Sequence, residues 1–214
     1  MGGKIWKINP IEPEEAAIQE AAGVIRRGGV VVFPTTGLYG LGADGLNVEA
    51  IELVFDVKHR PAANPILILV PERAGVGDVV EEIPPAAEKI MSRFWPGAVT
   101  LVFRARSHVS SLLTAGTGKI GIRQPAHAVA AKLVAAVQGP ITGTSANLSG
   151  EPGASSVNHL PGEIIDAVDM VLDAGPLKGG PGSTVVDITT EPPTVLREGT
   201  ISISRISEQL SGLY

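Results

Sequence analysis

The apolar positions of the chain keep two rhythms. Between Pro13 and Gly28 they recur at helical spacing, with Ala17, Ile18, Ala21, Ala22 and Ile25 forming one stripe. Pro13 suits a first helical position, Glu14 and Glu15 face the positive helix end, and Arg26, Arg27 and Gly28 signal its close. Residues 30–33 are instead a continuous apolar run ended by Pro34, the pattern of a strand buried on both faces. A short strand around Ile5, Trp6 and Ile8 precedes the helix. A second helix is predicted from an Asn47 cap to about Lys58, with Ala50, Ile51, Val54 and Phe55 inward and Pro61 stopping it.

Further buried strands are predicted at residues 66–70, 99–103, 120–123, 140–144, 170–173, 183–188 and 194–197, with helices at 86–94, 129–137 and 162–168. Strands interleaved with helices define an α/β protein. The strands near the C-terminus, separated by the turn at Pro192 and Pro193, imply hairpins and hence a mixed sheet. No repeat, long charge block or linker divides the chain, so one domain over residues 1–214 is expected, with its core at about 13–203.

Composition narrows the function. The formal net charge of −5 argues against a coat of basic charge for sequence-independent DNA binding, though not against a local cationic pocket. The absence of cysteine excludes disulfides, thiol nucleophiles and thiolate zinc sites, and fits a reducing compartment. No apolar h-region follows the N-terminus, and the longest apolar runs are strand-sized; a cytoplasmic protein with no membrane partner is the expectation.

Candidate chemistry is uneven in strength. Gly40, Gly42 and Gly45 satisfy the spacing of a dinucleotide fingerprint, but Pro34 to Tyr39 intervenes between the strand and these glycines, and no acidic residue follows at the required distance. A nicotinamide site is not expected. Four scattered histidines lack metal-ligand spacing, so no protein-bound metal is expected. Lys58 and Arg60 diverge on a continuing helix, but Pro61 extends the chain at Arg60 and lets both cations turn to one ligand. Their alternative role is to complement the helix dipole. Ser145 and Asn147 follow a predicted strand and suit phosphate, ribose or base edges, or else an ordinary turn. Arg123 and Arg197, each ending a strand, are either paired structurally or reaching a ligand anion.

Seven segments in order, PTTGLYGLGAD, VKHRPAANPI, FWPGAVTLV, IGIRQPAH, TSANLSG, STVVD and VLREG, resemble the YrdC/YciO family from about Ile18 to Thr200. The resemblance implies a twisted mixed parallel and antiparallel sheet flanked by helices, with a large concave cationic cavity. The implied activity is that of a nucleotidyltransferase making L-threonylcarbamoyladenylate from ATP, bicarbonate and L-threonine. This is the first step toward N6-threonylcarbamoyladenosine in tRNA. By motif, Lys58 and Arg60 are the family's catalytic K-x-R cations, and Ser145 with Asn147 its S-x-N pair. Arg60, Asn64, Ser145, Asn147 and Arg197 fall on the ATP side. Arg123 and Ser183, with Thr35 and Thr36, fall on the threonine side, the arginine matching the carboxylate. Magnesium is expected to arrive with ATP. The chain resembles the short form of the family. Possible partners are tRNA or double-stranded RNA and the machinery that transfers the threonylcarbamoyl group.

Three positions depart from the family pattern. Pro34-Thr35-Thr36-Gly37 lacks an acid and a hydroxyl, Leu69 stands where a histidine often contacts threonine, and Gly153 replaces a serine. These departures resemble the YciO branch, so a paralogue with an altered substrate or a non-catalytic RNA-binding module are the alternatives. They also imply an amino-acid pocket more apolar and roomier than a dedicated synthase needs.

Overall fold

The computed structural model describes residues 4–211. In chain order its strands are β1 (Lys4–Lys7), β2 (Val31–Pro34), β3 (Tyr39–Gly42), β4 (Leu67–Leu69), β5 (Val99–Arg104), β6 (Lys119–Arg123), β7 (Ile141–Ser145), β8 (Met170–Asp173), β9 (Thr184–Asp187) and β10 (Thr194–Arg197). The α-helices are α1 (Glu15–Arg26), α2 (Val48–Val57), α3 (Pro85–Phe94), α4 (Ser111–Thr114), α5 (Ala128–Val137), α6 (Gly162–Ala167) and α7 (Ile203–Leu210). All ten strands join one sheet in the order β1-β8-β2-β3-β7-β4-β6-β5-β9-β10. The pairs β1–β8, β8–β2, β4–β6 and β5–β9 are parallel and the remainder antiparallel, including the β9–β10 hairpin, so the sheet is mixed as expected.

The two faces of this sheet are covered unequally, and that inequality makes the site. One face is closed throughout by the apolar sides of α2, α3, α4, α6 and α7, packed on strand residues such as Val32, Leu41, Ile68, Leu101, Ile122 and Val186. Among the described residues the other face carries only α1 and α5. Their Ile18, Ile25, Leu133 and Val134 cover Val31 and Phe33 of β2, Met170 and Leu172 of β8, Ile141 of β7 and Leu69 of β4. Over β6, β5, β9 and β10 that second face has no helix among the described residues.

Several boundaries differ from the sequence reading. Helix α1 begins at Glu15 with Glu14 as its cap, so Pro13 precedes the helix rather than opening it. Glu14 instead accepts from the Asn9 N–H through its carboxylate. Helix α2 ends at Val57, before Pro61, because His59 takes a φ of 48° that no α-helix continues through. The glycine segment, to which the sequence reading assigned no element, contains β3, hairpinned on β2 with Pro34 opposite Tyr39. Its glycines serve packing: a Cβ on Gly42 would lie 2.8 Å from the Phe33 ring. Helix α7 had no counterpart in the sequence reading. Among the described residues no helix is long and apolar enough to cross a membrane.

Candidate active site

Alternate residues of a strand point to opposite faces, so the uncovered half of the sheet presents one side chain in two. From β6 it presents Lys119, Gly121 and Arg123, while Ile120 and Ile122 enter the core. From β5 it presents Thr100 and Val102, and from the β9 region Ser183, Val185 and Asp187. These residues floor a cavity of about 880 Å³, large enough for a nucleotide beside a small acid. Its lining carries Arg60, Lys119, Arg123, Lys178 and Arg197 against a single carboxylate, Asp187. That carboxylate is already engaged by Lys119 at 2.8 Å and by Thr189. The cavity is therefore a site for anions.

Eight of the ten residues singled out from sequence line this cavity: Thr35, Thr36, Arg60, Asn64, Arg123, Ser145, Ser183 and Arg197. Register brings them together. Gly40 pairs with Ser145 and Leu67 with Gly143, which sets Ser145 near the residues just before β4. Arg60 reaches the same corner, donating from Nε to the Asn64 carbonyl at 3.1 Å and from Nη2 to Pro65 at 2.8 Å. Burial holds its guanidinium below the usual arginine range.

Arg123 lies toward the other end of the floor, beside Leu69 in parallel register. Its Nε is buried with no partner among the described residues. Desolvation, aided by the nearby Arg197, pushes its pKa down to about 10. Arg197 itself donates to the Ser183 carbonyl at 2.9 Å, and the Ser183 and Thr100 hydroxyls are hydrogen-bonded to each other at 2.8 Å. A guanidinium with a buried, unpartnered Nε, beside a second arginine and in no ion pair among the described residues, is suited to a ligand carboxylate or phosphate.

Lys58 and Asn147 do not line the cavity. The Lys58 side chain is 1% exposed, and its ammonium donates to the backbone carbonyls of Ser145 and Asn147. Burial and the Arg60 charge push its pKa down to about 8. The Lys58 carbonyl also accepts from the Ser149 N–H at 2.9 Å, so this residue clamps the whole turn after β7. Asn147 turns inward, donating from Nδ2 to Leu148 and Glu151. The two cations two apart in sequence thus diverge: Arg60 faces the cavity and Lys58 supports its wall.

The lining also includes residues that sequence reading passed over, chiefly Lys119, Lys178, Thr100 and Asp187. A signal for Lys119 was present, since polar or small residues alternate with apolar ones in KIGIR, whereas Val102, Thr184 and Val185 break that alternation in VTLVFR and STVVD. Lys178 had no such signal.

At two of the departing positions the adjoining space is taken up by other parts of the chain. Leu69 is fully buried, and a Cβ on Gly143 would lie 2.9 Å from its Cγ. The space beside Gly37 is filled by main chain, because a Cβ there would lie 2.5 Å from the Gly179 carbonyl oxygen. Gly37→Thr is therefore expected to cost about 1–3 kcal/mol by overpacking, read as a lower urea midpoint. An unchanged midpoint would mean that the 175–182 segment yields freely.

An open half-face on a mixed α/β sheet, lined with arginines, is suited to holding a large anionic ligand against strand residues. Residues 23–199 match the Sua5/YciO/YrdC family model, described as telomere recombination, and the chain belongs to that family. It is 38% identical over 195 residues to the threonylcarbamoyl-AMP synthase of Pyrococcus abyssi, covering 91% of this chain and 57% of that protein. Against the putative threonylcarbamoyl-AMP synthase of Mycobacterium leprae it is 35% identical over 201 residues, covering 93% of this chain and 91% of that protein. Among solved structures, Pyrococcus abyssi Sua5 complexed with L-threonine superposes with a TM-score of 0.90 at 36% identity, over 97% of this chain and 61% of that one. Escherichia coli YciO superposes at 0.84 with 26% identity, over 95% and 99% of the two chains. The chain spans 57% and 63% of the length of the Pyrococcus and Bacillus subtilis synthases.

Proposed function

We propose that this protein is a nucleotidyltransferase that makes L-threonylcarbamoyladenylate from ATP, bicarbonate and L-threonine, on a single domain. The observation that carries this reading is the Arg123 guanidinium, sunk in a cation-lined cavity with its Nε unpartnered. The family relatives named threonylcarbamoyl-AMP synthase and the threonine complex of Sua5 support it.

In this reading Arg123 takes the threonine carboxylate, with Ser183, Thr35 and Thr36 around the amino acid. Arg60, Asn64, Ser145 and Arg197 take ATP, and Lys58 and Asn147 hold the Ser145 turn in place. The threonine amine adds to bicarbonate, losing water to give a carbamate. A carbamate oxygen then attacks the α-phosphorus, and the bond to pyrophosphate breaks. No covalent nucleophile is needed, so positioning and charge stabilisation supply the catalysis. Among the described residues no group of three or more His, Asp or Glu side chains could hold a metal. Asp187 is occupied by Lys119 and Thr189. Magnesium would accordingly be held by the phosphate oxygens as part of the substrate. The adenylate would pass to the enzymes that modify tRNA.

Pyrophosphate release measured with ATP, bicarbonate and threonine tests this reading. Release is expected only with all three present, and it should stop when any one is omitted. Absence of release with the complete mixture would overturn the proposal, and RNA retention without turnover would replace it with the binding-module alternative.

A further inference from the structure

The chain between β8 and β9 has to cross the open half-face. Strands β8 and β9 are separated by six others in the sheet, and residues 174–183 join them. Lys178, Gly179, Pro181, Gly182 and Ser183 of this segment line the cavity. It is pinned along its length. The Tyr39 hydroxyl donates to the Gly175 carbonyl at 2.7 Å and accepts from the Ala174 N–H at 3.0 Å. The Leu177 N–H donates to Ser155 at 2.7 Å, and the Gly179 N–H donates to Gly37 at 2.9 Å. Four glycines with positive φ, Gly175, Gly179, Gly180 and Gly182, let it bend between these points. Because Gly37 has no side chain, the Gly179 carbonyl can sit where a Cβ would be.

Lys178 lies between the second and third of these pins and so has a fixed backbone and a free side chain. It makes no hydrogen bond or ion pair among the described residues. The other cations of the lining, Arg123 apart, are engaged with protein acceptors: Lys119 with Asp187, Arg60 with two carbonyls, Arg197 with Ser183. The anchor at Gly37 lies beyond the end of β3 where Gly40 pairs with Ser145, on the Ser145 side of the cavity and away from the Leu69–Arg123 row. The unengaged polar group there, Ser145 Oγ, is no anion to pair with an ammonium.

From these positions we infer that Lys178 is a further substrate-binding residue, whose ammonium contacts the phosphates of ATP from a fixed strap over the cavity. Gly37 acts as its positioning residue, since it sets the distance of that strap from the floor. The inference rests on the reading of the cavity as an ATP site.

Steady-state pyrophosphate release, with ATP and threonine varied separately, tests it on the intact protein. Lys178→Ala should raise the KM for ATP about tenfold and leave that for threonine unchanged. Lys178→Arg should restore most of the loss, because it keeps the charge and the reach. Unchanged kinetics for ATP in Lys178→Ala, beside an active unmodified protein, would overturn the inference alone. A rise in the threonine KM with none for ATP would overturn it too, by moving Lys178 to the carboxylate end. An unmodified protein that neither binds ATP nor releases pyrophosphate would overturn the ATP reading and this inference with it. Gly37→Ala gives the second arm: it should raise the ATP KM in the Lys178 protein and have little further effect on Lys178→Ala. Equal effects of Gly37→Ala in both backgrounds would show that the strap acts without Lys178.

Discussion

Arg123→Ala is expected to lower kcat/KM for threonine on the order of 150-fold, about 3 kcal/mol, while leaving the fold at least as stable as before. The two halves of this expectation come from one fact. Arg123 keeps a buried Nε without a partner among the described residues and stands near Arg197, so the protein itself leaves its desolvation uncompensated. Bound carboxylate would turn that cost into a fork of charge-assisted hydrogen bonds. Arg123→Lys should recover little, because a point charge cannot reproduce the fork. Thermal unfolding and threonine kinetics on the same preparations check both halves. Loss of stability with unchanged threonine kinetics would make Arg123 a structural cation.

Lys58→Ala is expected to act in the opposite way, lowering the unfolding free energy by about 3 kcal/mol. Its ammonium supplies the donors for the Ser145 and Asn147 carbonyls, and alanine would leave both without them and open a void beside α2. For a domain of this size the loss corresponds to roughly 6–12 °C in Tm. Lys58→Met refills the volume but not the donors, so it should recover only part of the stability. Activity would fall in both variants because the Ser145 turn loosens. Wild-type stability in Lys58→Ala, combined with weakened ATP binding, would return Lys58 to the ligand.

Much of the site was legible one strand at a time. In KIGIR the apolar Ile120 and Ile122 alternate with Lys119, Gly121 and Arg123, a pattern that only a half-covered strand can carry. The motif order then assembled Arg60, Asn64, Ser145, Ser183 and Arg197 into one resemblance, and these residues do meet in one cavity. Strand β3 was illegible because its glycines mimic a loop. They are small so that the Phe33 ring can lie across the strand, and that requirement appears only when β2 and β3 are paired.

The sequence by itself determined most of the element types, β3, α4 and α7 excepted, and the mixed sheet, because burial and side-chain period are local properties of a strand or helix. Tertiary structure decided what each polar group answers to. Lys58 and Arg60 look equivalent in sequence, but the positive φ of His59 between them separates their directions. One then finds two buried carbonyls across 87 and 89 residues of chain, and the other faces the cavity. Gly37 and Leu69 likewise read as missing groups, yet each is matched by a distant neighbour, Gly179 or Gly143, that occupies or borders the same space. Such pairings depend on close packing between segments far apart in the chain, and no local pattern of residues encodes them.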